Sequence, residues 1–188
     1  MYIIMTMKIY LLTKNEGKLK AARHTFDKYG ITLLSVNKEH HEIQADSSLE
    51  IAKFSAQQAA LDLNTPVIRE DHSLFIEALG IPGPYINYVE KKISVDTITK
   101  IIDFLGNNKG WFEVATVYAE PNGKIFEYTF KIPMTFGKES KGSNPKGWNG
   151  LIRLNKETRA ITEYPEEERL HIWNEGYEAV ARYLKNKE

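Results

Sequence analysis

Residues 8–36 read KIYLLTKNEGKLKAARHTFDKYGITLLSV, and this stretch decides the fold. Residues 8–13 are a short apolar run followed by turn-forming residues, the pattern of a buried strand. Behind them Leu19, Ala22, Phe26 and Tyr29 recur at spacings of three and four, and Gly30 closes the pattern. That spacing predicts a helix with a glycine just past its end. Residues 31–36 are apolar again and read as a second strand. The pattern then repeats: Ser47 or Ser48 can cap a long helix whose apolar stripe is Leu49, Ala52, Ala56, Ala59 and Leu63. PVIRED at 66–71 reads as a third strand, its proline tolerated at the first position. The order β-α-β-α-β predicts an α/β fold with a mixed central sheet and flanking helices.

The middle of the chain changes character. PGPY at 82–85 is a rigid turn, and a helix capped at Asp96 or Thr97 turns Ile98, Ile101, Ile102 and Leu105 inward. Residues 111–120 and 124–134 flank Asn122–Gly123, a strong short hairpin signal. Phe126, Tyr128, Phe130 and Ile132 alternate with polar residues, so one face of that strand is dry. The hairpin is expected as an antiparallel second lobe. GKESKGSNPKGWNG (137–150) lacks periodicity and reads as a loop. A final helix carries Trp173, Tyr177, Val180 and Leu184 on one stripe. No repeat or linker interrupts the 188 residues, which read as one domain, with Met7 as the natural start and residues 1–6 as an extension.

Basic and acidic residues balance at 25 each. A broad nucleic-acid-binding surface needs excess cation, so that class is excluded, while a local cationic pocket for a small polyanion is not. The absence of cysteine excludes disulfides, thiol nucleophiles and thiolate metal sites. No apolar run is long enough for a membrane span, and the first residues lack the pattern of a signal peptide. The expectation is a soluble, cytoplasmic protein with no nucleic-acid and no membrane partner.

Three polar clusters fall where α/β proteins bind ligands, past the C-terminal ends of strands. Thr13, Lys14, Asn15 and Lys18 surround a predicted helix start, whose free N–H groups and positive dipole end suit phosphate. Equally, Asn15 can simply cap the helix while both lysines are solvated. The loop is not a Walker A motif, because its glycines and Lys-Ser/Thr pair are missing. Glu42, Ile43 and Gln44 follow His40 and His41, a carboxylate for a hard cation with histidines beside it. Arg69, Glu70 and Asp71 close the third strand, followed by His72 and Ser73. Two carboxylates at a strand end are costly without a cation, and Mg²⁺ with substrate phosphates is a familiar partner; equally, they can be solvated charges at the end of a strand. Lys53 lies one position off the stripe of the second helix and can lean into the same cleft.

The order and spelling of these clusters resemble the inosine triphosphate pyrophosphatase family. TKNEGK is similar to that family's (S/T)-G-N-x-x-K phosphate loop, and Glu42-Ile43-Gln44 to its E-I-Q segment. Glu70-Asp71-His72-Ser73-Leu74, continuing through Ala78-Leu79-Gly80 to Pro82-Gly83-Pro84-Tyr85, resembles its E-D-(T/S)-G-L…A-L-x-G-x-P-G-P-Y signature. The resemblance implies Mg²⁺-dependent hydrolysis of purine nucleoside triphosphates to the monophosphate and pyrophosphate, with deaminated bases favoured, by a homodimer that holds the substrate in a ligand cleft between two lobes. It implies that Thr13, Asn15 and Lys18 hold phosphates, with Lys14 in the same loop and His72 beside the substrate. Glu42 and Asp71 would bind the metal, Asp71 would help activate water, and Lys53 would face the triphosphate.

Departures concentrate where the family reads the base. Lys14 replaces a glycine of the phosphate loop, and Asn87 stands where many members carry lysine. The F-G-(W/Y/F)-D loop becomes Lys146-Gly147-Trp148-Asn149, leaving Trp148 as the expected stacking ring and Asn149 beside it. In the late K-N-x-x-S-H-R element Arg169 matches the lysine, while Trp173, Asn174 and Glu175 stand at Ser-His-Arg. A glutamate in place of a donor to the base carbonyl would reverse the hydrogen-bond sense there. The alternative to an enzyme of altered base preference is a non-hydrolysing nucleotide-binding paralogue of the same fold.

Overall fold

The computed structural model describes residues 8–37, 43–143 and 145–187. Its elements run β1 (Lys8–Leu12), α1 (Glu16–Asp27), β2 (Thr32–Val36), α2 (Ser48–Leu63), β3 (Val67–Ile76), β4 (Ile81–Gly83) and α3 (Ile86–Val89). They continue with α4 (Val95–Leu105), β5 (Lys109–Ala119), β6 (Ile125–Phe136), β7 (Ile152–Leu154), α5 (Glu166–Ile172) and α6 (Glu175–Lys185). The strands form one mixed sheet in the order β2-β1-β3-β5-β6-β7, with β4 added to β3. β1 is parallel to both β2 and β3, and the remaining pairs are antiparallel. Among the described residues no helix is long and apolar enough to cross a membrane.

The hairpin forms as its Asn-Gly turn requires, Ala119 pairing with Ile125 and Lys109 with Thr135. Because β3, β5 and β6 are long, a single sheet serves two lobes. In the first, α1 and α6 cover one face through Phe26, Tyr177 and Val180 packed on Ile9, Leu11 and Ile68. The alanines of α2 press against Val67, Ala115 and Val117 on the other. In the second lobe Leu74, Ile76, Phe112 and Ile132 pack with Ile98 and Ile102 of α4, and with Trp148 and Ile152.

Three expectations shift. The third strand does not stop at Asp71 but runs to Ile76, since β5 pairs with it over its whole length. Ser94 caps α4, its hydroxyl accepting from the Thr97 N–H at 3.2 Å, in place of Asp96 or Thr97. Trp173 is not on the last helical stripe: the chain breaks between α5 and α6, and Trp173 sits in the break.

Along one edge of β3, β1 pairs only with Val67 and Ile68, and β4 only from Leu74 onward. Among the described residues, 69–73 therefore have a strand neighbour on the β5 side alone. α6 closes on the sheet at Gly176, where an added Cβ would lie 2.1 Å from Oγ1 of the buried Thr116. That contact brings the start of α6, and with it Tyr177, against the sheet. Gly176→Ala should lower stability by about 1–3 kcal/mol through overpacking, read from equilibrium urea unfolding.

Candidate active site

The open edge of β3 is the floor of a cleft of about 590 Å³ between the lobes. Period-two alternation sends Glu70 and Asp71 to opposite faces of the strand. Glu70 shares the side of Ile68 and Leu74, under α1 and α6. Asp71 shares the side of Ser73, whose hydroxyl meets that of Ser48 in the first turn of α2 at 2.5 Å. The two carboxylates are therefore not one paired cluster at a strand end, as the sequence suggested.

Lys18 serves the open edge. Its Nζ donates to the Glu70 carbonyl at 3.1 Å and lies 3.5 Å from the Glu70 carboxylate. Glu70 is only 2 % exposed and is also bonded to Nε2 of His72. Burial pushes the Glu70 carboxyl up, but His72 and Lys18 outweigh it and hold the group below its ordinary range. Burial, and after it the Lys18 charge, lower the His72 imidazole against the pull of Glu70. The hydroxyl of Tyr177 stands beside Glu70, and burial raises it well above the usual phenol. Burial also raises Asp71, opposed by Lys18, Arg69 and His72.

At the cleft entrance Asn15 caps α1, its Oδ1 accepting from the N–H of Gly17 at 2.9 Å and of Lys18 at 3.3 Å. Thr13 stands one step behind, its Oγ1 accepting from the Asn15 N–H at 3.1 Å. Of the residues expected at the site, Asn15, Lys18, Asp71, His72, Asn149 and Arg169 line this cleft. Lys14 is exposed on the loop before α1. Glu42, His40 and His41 lie outside the described residues.

Other expected side chains are engaged elsewhere. Lys53 pairs with Glu127 of β6 at 2.7 Å and does not line the cleft. Trp148 is 1 % exposed and its indole N–H donates to the Ile93 carbonyl at 3.0 Å, so it is a core residue with no face left for a base. Glu175 accepts from the Tyr128 hydroxyl at 2.7 Å outside the cleft, so it does not replace a base-reading donor. Tyr177 escaped the sequence reading, which counted it as an apolar stripe residue. A tyrosine on an otherwise buried stripe was the available signal, because its hydroxyl needs a polar neighbour.

Among the described residues no three His, Asp or Glu side chains converge as metal ligands. Asp71 still fits a hard cation. It is an oxygen donor on the cleft wall whose charge burial disfavours, and a cation restores the charged form.

The electrostatics give a signed test in metal-free protein. Because the native His72 pKa lies below its ordinary value of about 6.5, its contribution to stability is present above that pH and is lost as pH falls through the native pKa. Lys18→Met removes a charge that lowers His72, so the imidazole titration followed by NMR should move upward. The same substitution leaves Glu70 short of a partner and should cost about 1–3 kcal/mol of stability.

The geometry agrees with what this chain resembles. A family model described as the Ham1 family matches residues 9–181. A dITP/XTP pyrophosphatase from Methanopyrus kandleri is 34% identical over 183 residues, covering 96% of this chain and 97% of its own. A dITP/XTP pyrophosphatase from Thermococcus kodakarensis is 30% identical over 171 residues, covering 90% and 92%. In fold, the solved structure of a HAM1 protein from Coxiella burnetii matches with a TM-score of 0.82 at 17% identity, covering 96% of this chain and 100% of that one. Matched from its first strand into its last helix, the chain belongs to the Ham1 family.

Proposed function

We propose that the cleft binds a purine nucleoside triphosphate of the inosine, deoxyinosine or xanthosine type and hydrolyses it to the monophosphate and pyrophosphate. The observation that carries this reading is the position of Lys18. It joins the capped start of α1 to the acidic stretch of β3, placing a cation between a phosphate-suited helix end and a carboxylate on the cleft wall. The names of the relatives supply the substrate class.

A triphosphate carries roughly four negative charges, which must be offset before water can reach the α-phosphorus. The N-terminus of α1, capped by Asn15, contributes its positive dipole end, with Lys18 beside it. Thr13 orders the turn that presents them, and Arg169 supplies a further cation at the rim. Asp71, with Glu42, is the pair that would hold Mg²⁺, which when bound offsets charge and lowers the pKa of water. Asp71 also accepts the proton of the attacking water, and the burial that raises its carboxyl above the ordinary range makes it a better acceptor. The water oxygen bonds to the α-phosphorus, the bond to the α,β-bridging oxygen breaks, and pyrophosphate leaves. His72 positions Glu70 through the hydrogen bond between them.

A homodimer in the cytoplasm belongs to the same reading. Ile81 and Tyr88, 59% and 66% exposed, are apolar surface around β4 and α3 that a second copy would cover. Tyr88→Glu should then shift the sedimentation coefficient toward the monomer.

Pyrophosphate release from a panel of nucleoside triphosphates, with Mg²⁺ and with chelator, tests the activity. Metal-dependent release from inosine or xanthosine triphosphate is expected. Asp71→Asn should reduce it by about 10²–10⁴-fold with the far-UV spectrum unchanged. Undiminished release from the folded variant would overturn the role of Asp71. No release from the folded parent would favour the non-hydrolysing paralogue.

A further inference from the structure

We propose that Trp173 is the residue on which the base stacks, and so the side chain that selects purines over smaller bases. This rests on the nucleotide reading above and deepens it.

A purine is a flat, largely apolar ring that needs an accessible aromatic or apolar surface within one nucleotide's reach of the phosphate anchor. The rings at the cleft are those of His72, Phe112, Trp173 and Tyr177. Phe112 is 8% exposed and Tyr177 fully buried, while His72 is bonded to Glu70. Trp148, whose sequence context suggested stacking, is enclosed in the core. Among the described residues, Trp173 is therefore the large ring lining the cleft that is only partly buried.

Its position is built. The break between α5 and α6 frees its backbone from helical geometry, with φ −108° and ψ 4°. The indole then stacks on His72 at 5.1 Å and 28°, and stands perpendicular to Phe112 at 5.1 Å and 89°. His72 in turn is fixed by Glu70, and Glu70 by Lys18. A chain of four side chains thus ties the stacking ring to the phosphate anchor, so that base and triphosphate meet preformed surfaces at a set separation. A ring ordered in this way loses little freedom when a ligand binds.

Stacking is tolerant of the substituents on a base, because every base has a π-face. Trp173 therefore favours the larger purine ring without reading its 6-position. Contacts to the base edge fall to Asn87, Glu90 and Asn149, which line the same cleft.

The test is equilibrium binding of α,β-methylene inosine triphosphate, α,β-methylene cytidine triphosphate and inorganic tripolyphosphate to the parent protein, Trp173→Ala and Trp173→Phe. In parallel, pyrophosphate release from inosine triphosphate by the parent is measured. Trp173→Ala should weaken the inosine analogue by about 5- to 100-fold, the range over which a base stacked on an aromatic ring is ordinarily worth. It should narrow the gap to the cytidine analogue and leave tripolyphosphate unchanged. Trp173→Phe should restore most of the affinity for the inosine analogue. An inosine-analogue affinity unchanged in Trp173→Ala would overturn the proposal. So would an equal loss for tripolyphosphate, which would mark a structural role. If the parent binds the analogues in the expected pattern but releases no pyrophosphate, the hydrolytic reading fails while the stacking role stands. If the parent releases pyrophosphate and Trp173→Ala binds as the parent does, the stacking role fails alone.

Discussion

The site depends on a gap in strand pairing. β3 is flanked by β5 throughout, but its other edge has β1 at one end and β4 at the other, with residues 69–73 between them. An unpaired backbone carbonyl in a part-buried cleft must find a donor. The Lys18 ammonium fills that need at the Glu70 carbonyl, and in doing so is fixed where a phosphate would meet it. The guanidinium of Arg69 reaches back to the Leu12 carbonyl at 3.2 Å, tying the end of β1 to the same edge. A requirement of the fold and a requirement of the ligand are thus met by the same short stretch.

The second consequence is a division of labour across one strand. Side chains on the α1 and α6 face, Glu70 and His72, form a polar cluster with Lys18, and the Tyr177 hydroxyl stands beside Glu70. Side chains on the α2 face, Asp71 and Ser73, stand by the start of that helix, where Ser47 caps it and Ser48 meets Ser73. A lone buried carboxylate would be costly. Glu70 is tolerable because a cation and an imidazole meet it, and this leaves Asp71 as the carboxylate whose charge burial still opposes.

Legibility followed the range of the interactions involved. The early strands and helices and the Asn-Gly hairpin were readable because periodicity and turn chemistry are local. Asn15 was readable as a cap for the same reason, and the TKNEGK and EDHSL segments by their spelling. The length of β3 was not, because β5 lies more than thirty residues downstream and supplies the pairing that carries the strand past its charged residues. Trp148 was misjudged because an aromatic in a glycine-rich loop looks exposed, yet Phe136 and the Ile93 carbonyl enclose it. The ion pair of Lys53 with Glu127 was not readable either, because helical phase cannot say that Glu127 arrives on β6 to meet it. Trp173 was placed on a helix that in fact begins two residues later.

The helix α5 has no buried residue; an ion pair between Lys20 and Glu166 and the edge-on contact of His24 with His171 link it to α1. It nevertheless supplies Glu166, Arg169 and Leu170 to the cleft and leads into Trp173. Leu170 and Ile172 pack against the two cores, but the charged positions Glu166 and Arg169 touch the cleft without entering them, so stability constrains those positions little. A lineage can therefore retune what it recognises at this end of the molecule by ordinary mutational drift, while the floor beneath the phosphates stays as it is.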